Sequence, residues 1–342
     1  MSEQNKPKVA FYWCSSCGGC EEAIVDLNDK LLKVVELVNI SFWPVAMDFK
    51  YKDVKQMEEN ELAVSFINGA IRTDEQLEMA ELLRKKSQLV ISFGSCSHLG
   101  GIPGLANFWD RKSIFDNSYS ESECPSVENP EDIRPQLKTQ VPEGTLTLPK
   151  FHNTVKSLDQ VIDVDYYLPG CSPAPYLTMK AIEKILADDL PEKGTVLAPT
   201  KTLCDVCSRN DSKPEKLSID KIKRVTEIQP DPEDCFLTQG IICLGPITRS
   251  GCNGDSDGRC ITANMPCRGC YGPPPNVKDV GAKMVSSIAS ILGIQDEEKI
   301  TEAEQEKIMD TLLDPAGTFY RFSLPVSLLR RKRSELKDKE GK

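Results

Sequence analysis

The 342 residues carry 42 basic and 52 acidic side chains, a net charge of −10, with 39% hydrophobic and 27% charged residues. That length suggests two domains or one large one with a sizeable core. The acidic balance argues against nucleic acid, whose phosphates need a basic face. No apolar run approaches the roughly 18–20 residues that cross a bilayer. The opening MSEQNKPKVAFYW has neither a secretory pattern nor a twin arginine, so a cytoplasmic protein without a membrane span is expected.

In chain order, KVAFYWC (8–14) is a short apolar run rich in β-formers. The stretch 20–37 places Ile24, Leu27, Leu31, Leu32 and Val35 at helical spacing, which predicts one amphipathic helix. NISFWPVA and LAVSFING read as strands. TDEQLEMAELLRKK reads as a helix with its N-cap at Thr73 or Asp74, and QLVISFG (88–94) as a buried strand. This alternation predicts an α/β fold with a doubly wound parallel sheet. From about 105 to 165 the periodicity fades into a polar, Pro-containing stretch, expected to be a long surface insertion. VIDVDYYLPGC returns to strand. PAPYLTMKAIEKILADDL reads as a helix with proline near its first turn, and LPEKGTVLAPTK as a linker. The expected division is 1–195 and 196–342.

Beyond about 200 the character changes. Residues 204–270 hold eight of the 14 cysteines with little periodicity, so this part is expected to fold around its ligands. Thr301 and Glu304 form a capping box for a closing helix at 301–313. The basic run LLRRKRSELKDK fits a solvated tail or docking arm.

Fourteen cysteines in a reducing compartment point to metal rather than disulfides, and the only histidines, His98 and His152, leave little material for His-based zinc sites. Cys17 and Cys20 follow the first strand, Cys96 in FGSCSHLGG follows the strand LVISF, and Cys171 in YYLPGCSPAP follows VIDVDYY. In open α/β sheets ligands collect beyond the carboxyl ends of the strands, so these loops can converge. Gly18, Gly19, Gly94 and Gly170 permit close backbone approach, and their N–H groups can bond thiolate or sulfide. Four thiolates suit either zinc or a [4Fe–4S] cluster. Cys204, Cys207, Cys235, Cys243, Cys252, Cys260, Cys267 and Cys270 are enough for two further four-thiolate sites. One such site is an ordinary structural clip. Three make more sense as a relay, because electron tunnelling weakens steeply with distance and clusters are redox-active where zinc is not.

The motifs CGGCEE, GSCSHLGGIPGLAN, LPGCSPAP, CLGP and MPCRGCYGP occur in this order between residue 8 and about 275. Together they resemble the small, electron-transfer subunit of cytoplasmic [NiFe]-hydrogenases, closest to the methyl-viologen-reducing, F420-non-reducing type. That family is related to the NADH:ubiquinone oxidoreductase 20 kDa subunit family. The resemblance implies a flavodoxin-like first half followed by an irregular cysteine-rich iron–sulfur domain. It also implies three [4Fe–4S] clusters. The implied ligands are Cys17, Cys20, Cys96 and Cys171 for the proximal cluster. They are Cys252, Cys260, Cys267 and Cys270 for the medial, and Cys204, Cys207, Cys235 and Cys243 for the distal. Cys204 stands where many relatives have histidine, and Cys260 where many periplasmic relatives have proline and a [3Fe–4S] cluster. The implied partners are the [NiFe] large subunit, which splits H2, and a small iron–sulfur adaptor leading to a heterodisulfide-reductase-like or flavin-containing acceptor. The complex I subunit differs: its opening motif has two adjacent cysteines, and it lacks a cluster-rich second domain.

Other readings stand beside this one. A nickel-free descendant could carry the same relay, and a zinc scaffold could carry no redox role. Cys14 fits a buried strand-end thiol, Cys124 an incidental one, and His98 a structural histidine or a donor to cluster sulfur. Glu22 fits the family's Cys-x-Gly-Cys-x-Glu pattern and is either a proton or interface group or a glutamate held by the helix dipole. Asp255 and Asp257 resemble a calcium loop only superficially.

Overall fold

The first apolar run becomes β1 (Lys8–Trp13) in a computed structural model that describes residues 6–120, 122, 126, 128–219, 221–292, 301, 307 and 310–329. It pairs in parallel with β2 (Asn39–Phe42) and β3 (Leu62–Asn68). After β4 (Ile71–Thr73), β5 (Ser87–Phe93) pairs with β3, and β9 (Tyr166–Leu168) with β5, all parallel. The order is β2-β1-β3-β5-β9. Counting only these strands along the chain gives the flavodoxin order 2-1-3-4-5. β3 and β5 are buried along nearly their whole length because both faces of the sheet are covered, hence their continuous apolar runs. On one face Phe11, Phe66 and Phe93 pack with Ile24 and Leu177. On the other, Ala10, Ile67 and Val90 pack with Met79 and Leu83.

The first helix differs from expectation. It is two helices, α1 (Gly19–Val25) and α2 (Asp29–Leu37), broken at Asn28 with φ of 52°. The break turns α2 so that only Val34 is buried, leaving Leu32 and Val35 outside. β2 stops before Trp43-Pro44, since proline cannot donate to a ladder. A helix that sequence periodicity did not reveal, α3 (Tyr51–Gln56), places Val54 in the core. α4 (Asp74–Lys86) begins at Thr73, whose Oγ1 accepts the Gln76 N–H while Gln76 Oε1 accepts the Thr73 N–H. A one-turn helix, α5 (Ser95–Leu99), follows β5, and α7 (Pro175–Leu186) carries proline in its first turn.

The stretch after 105 is more regular than its faded periodicity predicts. It holds α6 (Arg111–Tyr119), a hairpin of β6 (Lys138–Val141) and β7 (Gly144–Thr147), and β8 (Phe151–Lys156), which pairs with β4. α6 buries no residue and both hairpin strands lie open to solvent, so neither leaves an apolar period in the sequence. The expected strand at 161–171 shrinks to β9. The expected linker is anchored: Gly194 N–H donates to Asp165 O at 2.7 Å, and Val196 bridges Tyr167.

The second half has its own apolar cluster rather than depending on ligands alone. Phe236, Leu244 and Ile247 pack with Met284 and Ile288 of α9 (Val280–Ile291) and with Phe319. It sits at the carboxyl edge of the sheet: Gly101 N–H donates to Phe322 O at 3.0 Å, and Ala174 N–H to the Tyr271 hydroxyl at 3.0 Å. Glu304 of the expected capping box lies outside the described residues, as does Cys124.

Candidate metal centres

Cys17, Cys20, Cys96 and Cys171 come together beyond the carboxyl ends of β1, β5 and β9. Cys20 sits in the first turn of α1, and Cys96 on α5. Gly94 N–H donates to Leu168 O and Ser95 N–H to Gly170 O, both at 2.8 Å, which clamps the Cys96 turn to the Cys171 loop. A Cβ on Gly94, where φ is +86°, would stand 2.4 Å from Cys20 Sγ. One on Gly101 would stand 2.5 Å from Cys96 Sγ, so both glycines are needed for the backbone to approach the thiols. Cys20 and Cys96 are buried, while Cys17 and Cys171 are exposed. Burial pushes the Cys20 thiol up, and its neighbours Cys96, Cys171 and Cys17 add to the shift. Burial, then Cys171 and Cys17, push Cys96 up to about 12. Four thiolates cannot ionise together here without a cationic group to offset them, and bound metal supplies that.

Cys204, Cys207, Cys235 and Cys243 line one pocket, with Phe236 and Gly245 beside them. Burial holds Cys204 at about 12; Lys213 opposes that shift, while Cys243, Cys235 and Cys207 reinforce it. Burial also raises Cys243, to about 11, against N–H bonds from Gly245 and Cys267. The Cys267 N–H lies 3.3 Å from Cys243 Sγ. Donors aimed at sulfur favour the thiolate form that a metal needs.

The remaining set bridges the other two. Cys252 opens β10 (Cys252–Asp255), Cys260 lies on α8 (Arg259–Thr262), and Cys267 and Cys270 lie on the loop after it. Burial first, then Cys252, Cys260 and Cys171, raise Cys270 to about 12, against an N–H bond from Cys171. Cys267 is raised by burial, then by Cys243 and Cys270. Cys270 is therefore the electrostatic neighbour of Cys171 in the first set, and Cys267 of Cys243 in the second. Last in the chain, this set lies between the other two in space. Among the described residues no three His, Cys, Asp or Glu groups are close enough to hold a single metal ion.

Cys14 belongs to none of these sets. It is buried in the apolar cluster of Phe42, Ile67 and Met79, on the sheet face opposite Cys20. His98 is half-buried, its inner Nδ1 has no hydrogen-bond partner among the described residues, and its ring centroid lies 4.6 Å from that of Tyr167. Asp257 accepts the Ser208 N–H at 2.6 Å, tying the Cys252 loop to the segment after Cys207.

Sequence reasoning weighed Glu22, which is exposed, and passed over Glu21, which is 5% exposed. The Glu21 carboxylate accepts from the Trp43 indole N–H and the Asn68 amide. Burial raises its pKa, and these two bonds oppose the shift. The Cys17–Cys20 turn is thereby held to β3. Its only signal was position: Glu21, like Ala23 and Ile24, falls on the inner side of α1.

A flavodoxin-order sheet joined at its carboxyl edge to a cysteine-rich second half defines the class. A family model described as NADH ubiquinone oxidoreductase, 20 Kd subunit, matches residues 17–185. The F420-non-reducing hydrogenase iron-sulfur subunit of Archaeoglobus profundus is 37% identical over 330 residues, covering 95% of this chain and 98% of that protein. A subunit of the F420-non-reducing hydrogenase of Methanothermobacter marburgensis is 38% identical over 338 residues, covering 98% of this chain and 99% of that protein. Among solved structures, a [NiFeSe] hydrogenase chain of Desulfovibrio vulgaris Hildenborough aligns with a TM-score of 0.49 and 15% identity, over 80% of this chain and 95% of that one. The chain belongs to the family of F420-non-reducing hydrogenase iron–sulfur subunits and is thus a hydrogenase subunit, a component of an oxidoreductase.

Among the described residues no helix is long and apolar enough to cross a membrane.

Proposed function

We propose that this chain is the electron-relay subunit of a cytoplasmic [NiFe]-hydrogenase. It would hold three [4Fe–4S] clusters: on Cys17, Cys20, Cys96 and Cys171; on Cys252, Cys260, Cys267 and Cys270; and on Cys204, Cys207, Cys235 and Cys243. A first domain over 1–195 would carry the first cluster, and a second over 196–342 the other two. Bound, such clusters supply one-electron redox chemistry at low potential. One observation supports this reading above the others: the Cys252 set lies between the other two, beside Cys171 on one side and Cys243 on the other. An electron entering at the Cys17 end can leave at the Cys204 end in short steps. Ligands for three unrelated structural clips would have no reason to line up.

The large subunit, which would split H2 into two protons and two electrons, is assigned to the Cys17 end. There Cys17 and Cys171 are exposed, next to Trp13 at 40% and Ile102 at 46% exposure. Such apolar groups at the rim of a site suit a partner surface. The Cys204 end would hand electrons to a small iron–sulfur adaptor and then a heterodisulfide-reductase-like or flavin-containing acceptor.

The test is the metal content of the complex purified without oxygen. About twelve iron atoms attributable to this chain, four per cluster, with nickel in the partner, would establish the reading. Iron without nickel would keep the relay and remove the hydrogen chemistry. Zinc in place of iron would sink both. Cys17→Ala should abolish H2-driven dye reduction, and unchanged activity would overturn the assignment of the first set.

A further inference from the structure

Ser95 is 1% exposed and stands immediately before Cys96. Its hydroxyl donates to the backbone carbonyl of Cys270, 175 residues further along the chain. Its backbone N–H donates at 2.8 Å to the carbonyl of Gly170, the residue before Cys171. One buried residue thus holds together the turn of Cys96, the loop of Cys171 and the loop of Cys270. The first two segments serve the first cysteine set, and the third serves the bridging set. The Cys171 N–H also bonds the Cys270 sulfur, so the two loops meet at the ligand positions themselves.

The opposite junction is built differently. There Cys267 N–H donates to Cys243 Sγ at 3.3 Å, and Leu244 N–H to Cys267 O at 3.0 Å. Both donors are backbone groups, which persist whatever the side chains. At the first junction a side-chain hydroxyl carries part of the join. A carbonyl shielded from water that loses its donor shifts to find another. Without the Ser95 hydroxyl, the Cys270 loop is therefore free to move away from the Cys96 turn and the Cys171 loop.

We infer that Ser95 is a positioning residue that fixes the separation of the first and bridging clusters and so sets the rate at which an electron passes between them. The inference rests on the proposed cluster assignment. In that step one electron leaves the first cluster, which is oxidised, and enters the bridging cluster, which is reduced. No bond forms or breaks and no proton moves. H2, through the large subunit, supplies the electron, or dithionite in its place. Tunnelling weakens steeply with distance, so a small widening of the gap acts directly on the rate. The hydroxyl bond ends on a carbonyl rather than on a sulfur, so it acts through distance and leaves the potentials of the clusters largely alone.

The test compares S95A and S95T with the wild type in the complex purified without oxygen, fully reduced with dithionite and read by electron paramagnetic resonance. Alanine removes the hydroxyl and threonine keeps it. Two reduced clusters split each other's signals through a magnetic interaction that weakens with the cube of their separation. In S95A the splitting between the first and bridging clusters should narrow, and H2-driven dye reduction should slow severalfold. All three clusters should remain, with their midpoint potentials held. The interaction between the bridging cluster and the one on the Cys204 set should not change. S95T should restore both the splitting and the rate. Wild-type splitting in S95A would overturn the inference and leave the cluster assignment standing. So would S95T behaving like S95A, since that would mean fit rather than the hydroxyl. Loss of clusters from S95A would overturn it too, because Ser95 would then serve assembly rather than spacing. A wild-type complex with no cluster signals would overturn both the inference and the assignment.

Discussion

The Arg209 guanidinium lies 4.3 Å above the Phe236 ring. Its Nη1 donates to Asp231 O at 2.9 Å and Asp234 O at 3.2 Å, and its Nη2 to Asn264 Oδ1 at 2.9 Å. One buried side chain thus ties the segment after Cys207 to the one before Cys235 and to the loop after Cys260. Arg209→Ala should cost about 3 kcal/mol, since it leaves buried acceptors unpaired and removes the ring contact. Thermal denaturation and iron per chain should both fall. A variant with full iron and an unchanged melting temperature would show that the loops hold themselves.

Gly94→Ala should disturb one cluster selectively. The new methyl would stand 2.4 Å from Cys20 Sγ on a backbone with φ of +86°. Displacing that thiol and straining the turn should cost about 3 kcal/mol. Iron should fall by the content of one cluster while the signals from the other two remain. Loss of all three together would mean that the sites fold as one unit.

Asp165 gives the protein an acid limit. Its carboxylate pairs with Arg84 and Lys193, each at 2.6 Å, and accepts the Val90 N–H at 2.8 Å. Burial raises its pKa, but these bonds outweigh that and hold it below the usual carboxylate value. Its stabilising contribution is therefore fully present above the unfolded pKa of about 3.9 and is lost as pH falls through the lower folded value. The Lys193 side chain is 65% exposed and adds little. Asp165→Asn should cost about 2 kcal/mol at neutral pH, mainly through Arg84. It should also flatten stability against pH below about 4. An unchanged acid limb in denaturant titrations would assign that limb to other carboxylates.

Arg72 should behave in the opposite sense. It is 4% exposed, among the described residues none of its side-chain nitrogens has a partner, and its guanidinium lies 4.1 Å from the centre of the Phe151 ring. Burial, then the nearby Arg111, lower its pKa to about 10. The ring contact offsets only part of the desolvation. Arg72→Met keeps much of the packing volume and should raise stability by about 1 kcal/mol. A lower denaturation midpoint would show that the guanidinium stabilises the fold, for instance against a partner subunit.

The sheet was legible because β1, β3 and β5 are buried on both faces and leave continuous apolar runs. The cysteine motifs were legible because thiol spacing survives in sequence whatever the loop conformation. The hairpin at 138–147 and α6 were not, because neither buries a face. The break at Asn28 was hidden because the apolar spacing continues through it. Arg72 and Arg209 were invisible because their burial depends on partners elsewhere in the chain, the Phe151 and Phe236 rings.

By itself the sequence determined the class of fold and the number and spacing of the thiols, while their division into three groups of four came from the family resemblance that those motifs carry. Periodicity and spacing are local, and a linear chain records them directly. Only the tertiary structure decided that the last group in the chain lies between the other two and that Glu21 rather than Glu22 is buried. Each of these depends on which surfaces meet when the second half packs on the carboxyl edge of the sheet, and that choice is made by contacts distributed over the whole core.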